Sequence, residues 1–277
     1  MRAVARPLLV LHSDATFREQ SRRAAAKRFE FNPVDSWEEL RERLRTAPPS
    51  ALSVVDPYWG EDSGELAVAL RLLLLEFPSV TVIAALELKP HKYGDLRTLG
   101  AWGVSEVLAL GDVDTVEGIS RHLEGVQGRP LQSLLERSLP QNLTGTARAL
   151  LMSAAEVVSA GGQAKELAKA LYLSSRTLLR WCDRAELPPP RRVLVWMRIL
   201  LATELLDDPG RTVSSVALAC GYASDNSLRR ALQDFLNTTP TALRQSGAFE
   251  IASRAFLTEL ETTRRGGRRR LSEAAIS

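Results

Sequence analysis

The sequence predicts two domains of different fold class, an α/β domain followed by an all-α domain. Five short apolar runs alternate with amphipathic stretches in the first part of the chain, which is typical of a parallel sheet covered by helices. Further on, between residues 165 and 244, one small helical unit is written twice. The length of 277 residues also suits about two domains. The predicted organisation is an α/β domain over residues 1–125, a linker over 126–146, a helical domain over 147–247, and a C-terminal helix and tail over 248–277.

The N-terminal domain is predicted to contain a doubly wound, five-stranded parallel sheet. The apolar runs expected to form strands lie at residues 8–11, 29–34, 52–55, 80–85 and 107–110. The amphipathic stretches expected to form helices lie at residues 17–28, 37–45, 66–77, 93–99 and 113–123. In such a sheet, ligands and chemistry gather at the carboxyl ends of the strands. The residues at that edge that could bound a pocket are His12, Ser13, Asp14, Asp56 and Tyr58.

The pattern loosens between residues 124 and 146, where glycine and proline interrupt it. One short helix is expected over residues 131–137, with Leu131, Leu134 and Leu135 on one face. That apolar face either packs against a domain or makes a dimer contact. A helix over residues 147–160 then opens the helical domain.

Each copy of the repeated unit fits a helix, a tight turn and a second helix. Ala168 and Ala217 are small enough for the second helix to cross the first closely, and Ser174 and Ser224 suit the caps of the second helices. Apolar residues follow each serine at the fourth and eighth positions. A nearly all-apolar helix over residues 191–206, about 24 Å long, joins the copies. The spacing therefore predicts two helix-turn-helix units joined by a central helix.

The outer face of each second helix is left over once the core positions are assigned. In the second unit this face holds Asn226, Arg229, Arg230 and Gln233. Asn and Gln pair bidentately with adenine, and Arg with guanine, in a major groove that admits a helix. In the first unit the face holds a weaker set, Arg176, Leu179, Arg180 and Asp183. The predicted DNA contacts are Arg176, Thr177, Arg180, Ser224, Asn226, Ser227, Arg229, Arg230 and Gln233.

The charge distribution favours nucleic-acid binding by the second half of the chain. The formal net charge is +3, but residues 161–277 contain 18 Lys and Arg residues against 12 Asp and Glu, or +6. Residues 1–160 therefore carry −3. A basic half beside a mildly acidic half fits one nucleic-acid-binding domain and one with another role. The arginine-rich run at residues 264–270 is either a solvated tail or a source of extra phosphate contacts.

The sequence offers no support for an enzyme or a membrane protein. It contains no catalytic triad, metal-ligand cluster or Gly-rich phosphate loop, so no catalytic residue, metal or cofactor is predicted. No apolar run reaches the ~18 residues of a membrane span, and the start of the chain lacks the pattern of a secretion signal. We therefore expect a cytoplasmic protein in which Cys182 and Cys220 are buried, reduced thiols.

The two helix-turn-helix units make residues 164–244 resemble the AraC/XylS family of bacterial transcription regulators. The most specific piece is the ending Thr239-Pro240 followed by Arg244. The chain departs from the family pattern at Tyr172, where a small turn residue is common, and at Asn237, which replaces a usual glycine. The resemblance implies a sequence-specific regulator that binds double-stranded DNA and contacts RNA polymerase. Homodimerisation is a further expectation, no membrane contact is expected, and the small-molecule effector stays unknown.

The N-terminal layout resembles the receiver domain of bacterial response regulators. Asp56 ends the third strand, where a receiver carries its phosphate-accepting aspartate. His12 and Ser13 replace the acidic pair after the first strand, and apolar residues replace the hydroxyl and the lysine that follow the fourth and fifth strands. Phosphoryl transfer to a carboxylate needs a metal and a cation to neutralise developing charge. The resemblance therefore implies a degenerate receiver in which Asp56 is a vestigial phospho-acceptor.

Three hypotheses of function follow from the sequence. The first is an AraC-type regulator whose N-terminal domain gates DNA binding or polymerase contact through dimerisation, a ligand or a partner. The second is a two-component response regulator controlled by phosphorylation of Asp56. The third is a protein-interaction module without specific DNA binding, which Arg229 and Arg230 on the outer face argue against.

Overall fold

The computed structural model describes residues 6–26, 28–61, 64–111, 115–126, 135–136, 139–140 and 142–274, with side chains up to residue 266. In this part of the chain there are five β-strands and thirteen α-helices. The chain divides into two units. The first is Met1–Pro130 with Asp208–Ser215, and the second is Leu131–Asp207 with Val216–Ser277. The predicted fold class, an α/β domain plus an all-α domain, is confirmed.

The strands of the first unit form one parallel sheet. They are β1 Arg6–Leu11, β2 Phe29–Pro33, β3 Leu52–Val55, β4 Thr81–Glu87 and β5 Glu106–Leu110. Their order across the sheet is β2-β1-β3-β4-β5, with every neighbouring pair parallel. The chain reverses its direction of progress between β1 and β3, which is where doubly wound sheets open a crevice for ligands.

Helices cover both faces of this sheet. They are α1 Ala15–Ala25, α2 Trp37–Thr46, α3 Val68–Glu76, α4 Tyr93–Trp102 and α5 Val116–Val126. Leu8 and Val10 of β1 pack on the face that α1 and α5 cover, and Leu9 and Leu11 pack on the opposite face, under α2, α3 and α4. Because successive side chains of a strand alternate, a strand buried on both faces must be apolar throughout. Burial on both faces therefore explains why residues 8–11 of β1 are all apolar.

The segment Asp208–Ser215 belongs to the first unit, although it lies far along the chain. The Asp208 carboxylate accepts hydrogen bonds from the backbone N–H of Ser79 at 2.9 Å and from the Ser79 hydroxyl. Arg211 Nε donates to the same carboxylate at 3.0 Å. Both side chains of this ion pair are only 1% exposed. A buried pair of opposite charges thus fixes the segment to the sheet domain.

Three further hydrogen bonds hold this segment. Arg211 Nη1 donates to the backbone carbonyls of Arg45 and Ala47, at 3.1 and 2.9 Å. The N–H of Gly210 donates to the carbonyl of Glu76 at 3.0 Å. A Cβ on Gly210 would lie 2.6 Å from Cζ of the buried Phe77 ring. Glycine is therefore required at residue 210 by close approach.

The second unit is built around one buried helix. Its helices are α6 Gly145–Ser159, α7 Ala164–Ala170, α8 Ser175–Arg184, α9 Pro190–Leu206, α10 Val213–Ala219, α11 Asp225–Leu236, α12 Pro240–Ser246 and α13 Ala248–Ala274, with the first turn of α10 assigned to the first unit. Helix α9 packs against α6, α7, α8, α12 and α13 and is buried along most of its length. A helix that is apolar nearly all round must be enclosed in this way.

Helix α13 is part of the same core. Trp196 of α9 lies between two rings, with centroids 5.1 Å from Phe235 of α11 and 5.5 Å from Phe256 of α13. The Asp207 carboxylate accepts from the first backbone N–H groups of α13, those of Ala248 and Phe249, at 2.9 and 3.0 Å. An acidic side chain at a helix start satisfies free N–H groups and interacts favourably with the helix dipole. The end of α9 therefore caps α13.

Two sequence predictions fall largely outside the described residues. The structure does not describe five of the seven residues of the expected linker helix, 131–134 and 137. Of the apolar face of this helix, it describes only Leu135, which is buried. The side chains of the arginines at 268–270 are likewise outside the described part. No helix within the described ranges combines the length and the apolar character needed to cross a bilayer.

Candidate nucleic-acid interface

The first helix-turn-helix unit consists of α7, a tight turn and α8. The turn is closed by a hydrogen bond from the N–H of Leu173 to the carbonyl of Ala168, at 2.8 Å. Tyr172 adopts a left-handed backbone conformation with φ of 55°. That conformation costs a bulky residue about 1 kcal/mol or more. Tyr172 also projects almost fully into solvent, so packing does not offset this strain.

The second helix-turn-helix unit repeats this geometry with α10 and α11. The N–H of Tyr222 donates to the carbonyl of Ala217 at 2.9 Å, the same five-residue closure as in the first unit. Gly221 holds the left-handed position, with φ of 71°, that Tyr172 holds in the first unit. One additional residue, Ala223, precedes the cap of α11. The repeat in the sequence therefore corresponds to a repeat in backbone structure.

Serines cap both second helices, as the sequence predicts. Ser174 Oγ accepts from the N–H of Thr177 at 3.1 Å. Ser224 and Ser227 cap each other, each backbone N–H donating to the other hydroxyl at 3.0 and 3.2 Å. These hydroxyls are engaged within the helix starts. The remaining N–H groups of the first turn of α8 and α11 point along the helix axis, where they can meet an anion.

The outer faces of α8 and α11 carry the predicted reading residues in exposed positions. The exposed members are Arg176, Arg180, Asn226, Arg229, Arg230 and Gln233. The opposite faces are buried, through Leu178 and Cys182 in α8 and Leu228 and Leu232 in α11. Burial raises the pKa of the Cys182 thiol to about 11, so this group stays protonated. Each second helix thus presents a polar face and packs an apolar one.

Two side-chain contacts engage residues on the outer face of α11. Arg229 Nε lies 3.6 Å from the Asp225 carboxylate. Gln233 Nε2 donates to Asn237 Oδ1 at 2.8 Å. Asn237 follows the last residue of α11 and adopts a left-handed conformation with φ of 51°. Both contacts join residues four apart, which face the same side of a helix.

A second candidate site lies at the carboxyl edge of the sheet. A cavity of about 220 Å³ is lined by all five residues that the sequence places there, His12, Ser13, Asp14, Asp56 and Tyr58. The Asp56 carboxylate accepts from the Ser13 hydroxyl at 2.9 Å and from the N–H of Tyr58 at 3.0 Å. Asp56 therefore lies directly after β3 in this cavity, where the sequence analysis places it.

Two lysines of this cavity are not predicted from the sequence. Lys89 and Lys92 line it from the segment between β4 and α4, whereas Leu110 lines it at the end of β5. Lys92 Nζ lies 3.4 Å from the centroid of the Tyr58 ring, and the Tyr58 hydroxyl donates to Asp95 at 2.8 Å. Burial and the bond to Asp95 raise the pKa of the Tyr58 hydroxyl, which stays protonated. A search for lysine only after the fifth strand overlooks this segment.

The residues of this cavity do not fit a receiver's Mg²⁺ site. The Asp14 carboxylate caps α1, accepting from the N–H of Thr16 at 2.7 Å and of Phe17 at 3.3 Å. His12 Nδ1 accepts from the N–H of Asp14 at 3.1 Å, so that nitrogen is also engaged. Mg²⁺ prefers several oxygen ligands. Of the three carboxylates that line the cavity, Asp14 caps α1 and Glu87 pairs with Lys89 at 2.8 Å, which leaves only Asp56. Among the described residues no group of three metal-binding side chains is found.

Acidification below about pH 6.5 is expected to destabilise the sheet-containing N-terminal unit through His12. The His12 side chain is 4% exposed, and burial lowers its pKa, although the nearby Asp56 charge opposes this shift. An unfolded chain, with the ordinary pKa of about 6.5, therefore binds the proton first. The stabilisation is full above that pH and is lost as the pH falls toward the lowered folded pKa.

Urea unfolding between pH 5 and pH 7.5 tests this expectation. The free energy of unfolding of the natural protein should fall more steeply toward pH 5 than that of His12→Gln, which cannot titrate there. Parallel curves for the two proteins would show that His12 does not link protonation to folding.

Comparison with known proteins identifies the helical part of the chain. A family model described as a helix-turn-helix domain matches residues 167–246. These residues form an AraC-type helix-turn-helix domain. The AraC-type domain spans both turns and both outer faces described above, and it ends with α12, before α13. The predicted resemblance of this region is confirmed.

Other comparisons are less informative about the whole chain. The solved structure described as "Low Resolution Structure of Response Regulator StyR" is 19% identical, covers 69% of this chain and 97% of that chain, and has a TM-score of 0.29. No curated protein matches the chain. The receiver-like character of the N-terminal domain rests on its own strand order and on the position of Asp56.

Proposed function

We propose that the protein is a sequence-specific DNA-binding transcription regulator that inserts α8 and α11 into successive major grooves. The observation that carries this proposal is the matched geometry of the AraC-type domain. Two helices with the same turn and cap each expose arginines on one face and bury apolar residues on the other. A helix of this kind fills the major groove and reads base edges.

The two helices contribute unequally to base reading. On α11, Arg229 and Arg230 suit guanine, and Asn226 and Gln233 suit adenine. On α8, Arg176 and Arg180 are the only side chains of the corresponding face that suit guanine, because the other two positions hold Leu179 and Asp183. The N–H groups at the helix starts and nearby basic side chains would hold phosphates. We therefore assign the more selective half of the operator to α11.

The helix between the units supports a defined spacing of the two boxes. Helix α9 has 17 residues, which gives a length of about 25 Å. With the flanking turns, this length suits reading helices about 34 Å apart, or one turn of the duplex. The operator is expected to contain two short boxes centred about one helical turn apart, on the same side of the DNA.

The N-terminal domain is proposed to regulate this activity. The segment Asp208–Ser215 joins α9 to the second helix-turn-helix unit. The segment belongs to the sheet-containing N-terminal unit. A change in the first unit can therefore reach the second reading helix through the chain itself. The cavity beside Asp56 is the proposed place of input by a ligand or a partner. Contact with RNA polymerase and homodimerisation are further parts of this proposal.

Selection of randomised duplex DNA at near-physiological salt tests the proposal. The natural protein is expected to recover two boxes, and Arg229→Ala/Arg230→Ala should lose only the box read by α11. Each bidentate arginine supplies about 1–3 kcal/mol of discrimination, so the preference for that box should fall roughly 30-fold or more.

Arg22→Ala/Arg23→Ala is a matched control, because it removes two adjacent exposed arginines of α1. It should keep both boxes. Recovery of no motif by the natural protein, or of the same motif by the α11 variant, would favour an interaction module without specific DNA binding.

Phosphorylation of Asp56 is a second candidate for the regulatory input. It is supported by the position of Asp56 in a cavity that Lys89 and Lys92 also line. Incubation with acetyl phosphate and Mg²⁺, followed by intact mass measurement, distinguishes the two inputs. A phosphoryl adduct lost in Asp56→Asn would support this candidate, and an unmodified mass would eliminate it.

A further inference from the structure

The reading face of α11 contains a side-chain contact that fixes the orientation of one reading group. Gln233 Nε2 donates to Asn237 Oδ1 at 2.8 Å, and both residues are exposed on the same side of the helix. Asn237 lies just after α11 in a left-handed conformation, which places its side chain beside the last turn. The AraC resemblance leads us to expect glycine here, and glycine would adopt the same backbone without supplying this partner.

The chemistry of the amide group gives this contact a consequence for base reading. Adenine presents an acceptor, N7, beside a donor, the N6 amino group, in the major groove. A glutamine needs its carbonyl oxygen and one N–H to match both, and it has a second N–H to spare. The contact with Asn237 engages one N–H of Gln233 and leaves the carbonyl and the other N–H available. It also selects one of the two orientations that a free amide adopts by rotation.

We propose that Asn237 is a positioning residue that orients Gln233 for the recognition of adenine. This inference rests on the proposed DNA-binding function and adds to it the base that the end of α11 reads. A glutamine without a partner must lose the freedom of its terminal amide when it binds, whereas a glutamine already held loses less. Asn237 therefore raises the preference for adenine without touching the base itself.

Variants of residue 237 separate orientation from backbone conformation. Asn237→Gly keeps the left-handed backbone at no steric cost but removes the acceptor. Asn237→Asp keeps an acceptor at the same place and cannot donate. The preference for adenine is expected to fall about three- to tenfold in Asn237→Gly, the range that one net hydrogen bond supplies. It should be retained in Asn237→Asp.

Competitive binding of the full chain to paired duplexes measures this preference. Selection of randomised duplexes with Gln233→Ala identifies the position at which the base preference is lost. The two duplexes differ by one base pair at that position. The readout is the ratio of the two Kd values, so a general loss of affinity from the new charge in Asn237→Asp cancels. In the Gln233→Ala background, Asn237→Gly should leave the ratio unchanged, because the group to be oriented is gone.

Three outcomes would overturn the inference while leaving the proposed function in place. They are an unchanged ratio in Asn237→Gly, an equal loss in Asn237→Asp, and no adenine position lost from the Gln233→Ala motif. In each case Arg229→Ala/Arg230→Ala would still abolish its box. Recovery of no motif by the natural protein would instead overturn the proposed function, and this inference with it.

Discussion

Replacing Arg211 with methionine is expected to lower the free energy of unfolding of the N-terminal unit by about 3–5 kcal/mol. The guanidinium is buried, pairs with Asp208 and donates to two backbone carbonyls. Its removal leaves a buried carboxylate without a counter-charge, and an uncompensated buried charge costs about this much. Methionine retains most of the apolar stem, so lost packing contributes little.

Hydrogen exchange at the amide of Gly210 measures this effect where it arises, because that N–H donates to Glu76. Its protection is expected to fall sharply in Arg211→Met, and denaturant unfolding should confirm the global loss. Arg71→Met, at an exposed arginine of α3, is the matched control and should change stability by less than about 0.5 kcal/mol. Unchanged protection at Gly210 in Arg211→Met would show that the ion pair does not hold the segment.

A double variant distinguishes lost charge from lost shape. Asp208→Asn combined with Arg211→Met removes both charges of the pair and keeps a polar partner for Ser79. Removing a whole buried pair costs less than breaking it. The double variant should therefore be more stable than Arg211→Met alone, and a simple sum of the two single effects would contradict this explanation.

Replacing Phe256 with alanine is expected to lower the free energy of unfolding of the helical unit by about 3–5 kcal/mol. The ring is fully buried and contacts Trp196, the centre of the core. Loss of a buried aromatic side chain removes transfer free energy and leaves a cavity that α9 and α13 cannot fully close. Because α13 lies beyond the matched AraC-type domain, this result would make it part of the folding unit.

Denaturant unfolding followed by tryptophan fluorescence and far-UV circular dichroism measures the Phe256→Ala effect. Glu261→Ala, at an exposed position of the same helix, is the control and should be nearly neutral. A loss of less than about 1 kcal/mol in Phe256→Ala would show that α13 contributes little to the core.

The sequence predicted the sheet, the helices and both helix-turn-helix units because burial has a direct signature in periodicity. Runs such as Leu8 to Leu11 are apolar because both faces of the strand are covered. The reading faces were predicted for the same reason, as the exposed complement of buried positions such as Leu178 and Leu228. Assignment of bases to those faces is still a prediction.

The features that the sequence did not predict depend on contacts between distant polar residues. The sequence around Asp208 predicts only the end of a helix. It does not indicate that the Asp208 carboxylate accepts a hydrogen bond from Ser79, 129 positions earlier. Lys89 and Lys92 enter the cavity from a segment that a receiver comparison does not search. The contact of Gln233 with Asn237 has the spacing of a helical pair, but a rotamer choice decides whether it forms.

The assignment of Asp208–Ser215 to the first unit makes the two units interleaved rather than sequential along the gene. A fragment beginning at residue 131 would carry the Asp208 and Arg211 pair without Ser79, Arg45 and Ala47. Recombination that exchanges the N-terminal domain for another would leave the same two charged residues without these partners. Neither unit is therefore a module that can be cut out or exchanged at a single junction, and the two halves are expected to be inherited and mutated as one piece.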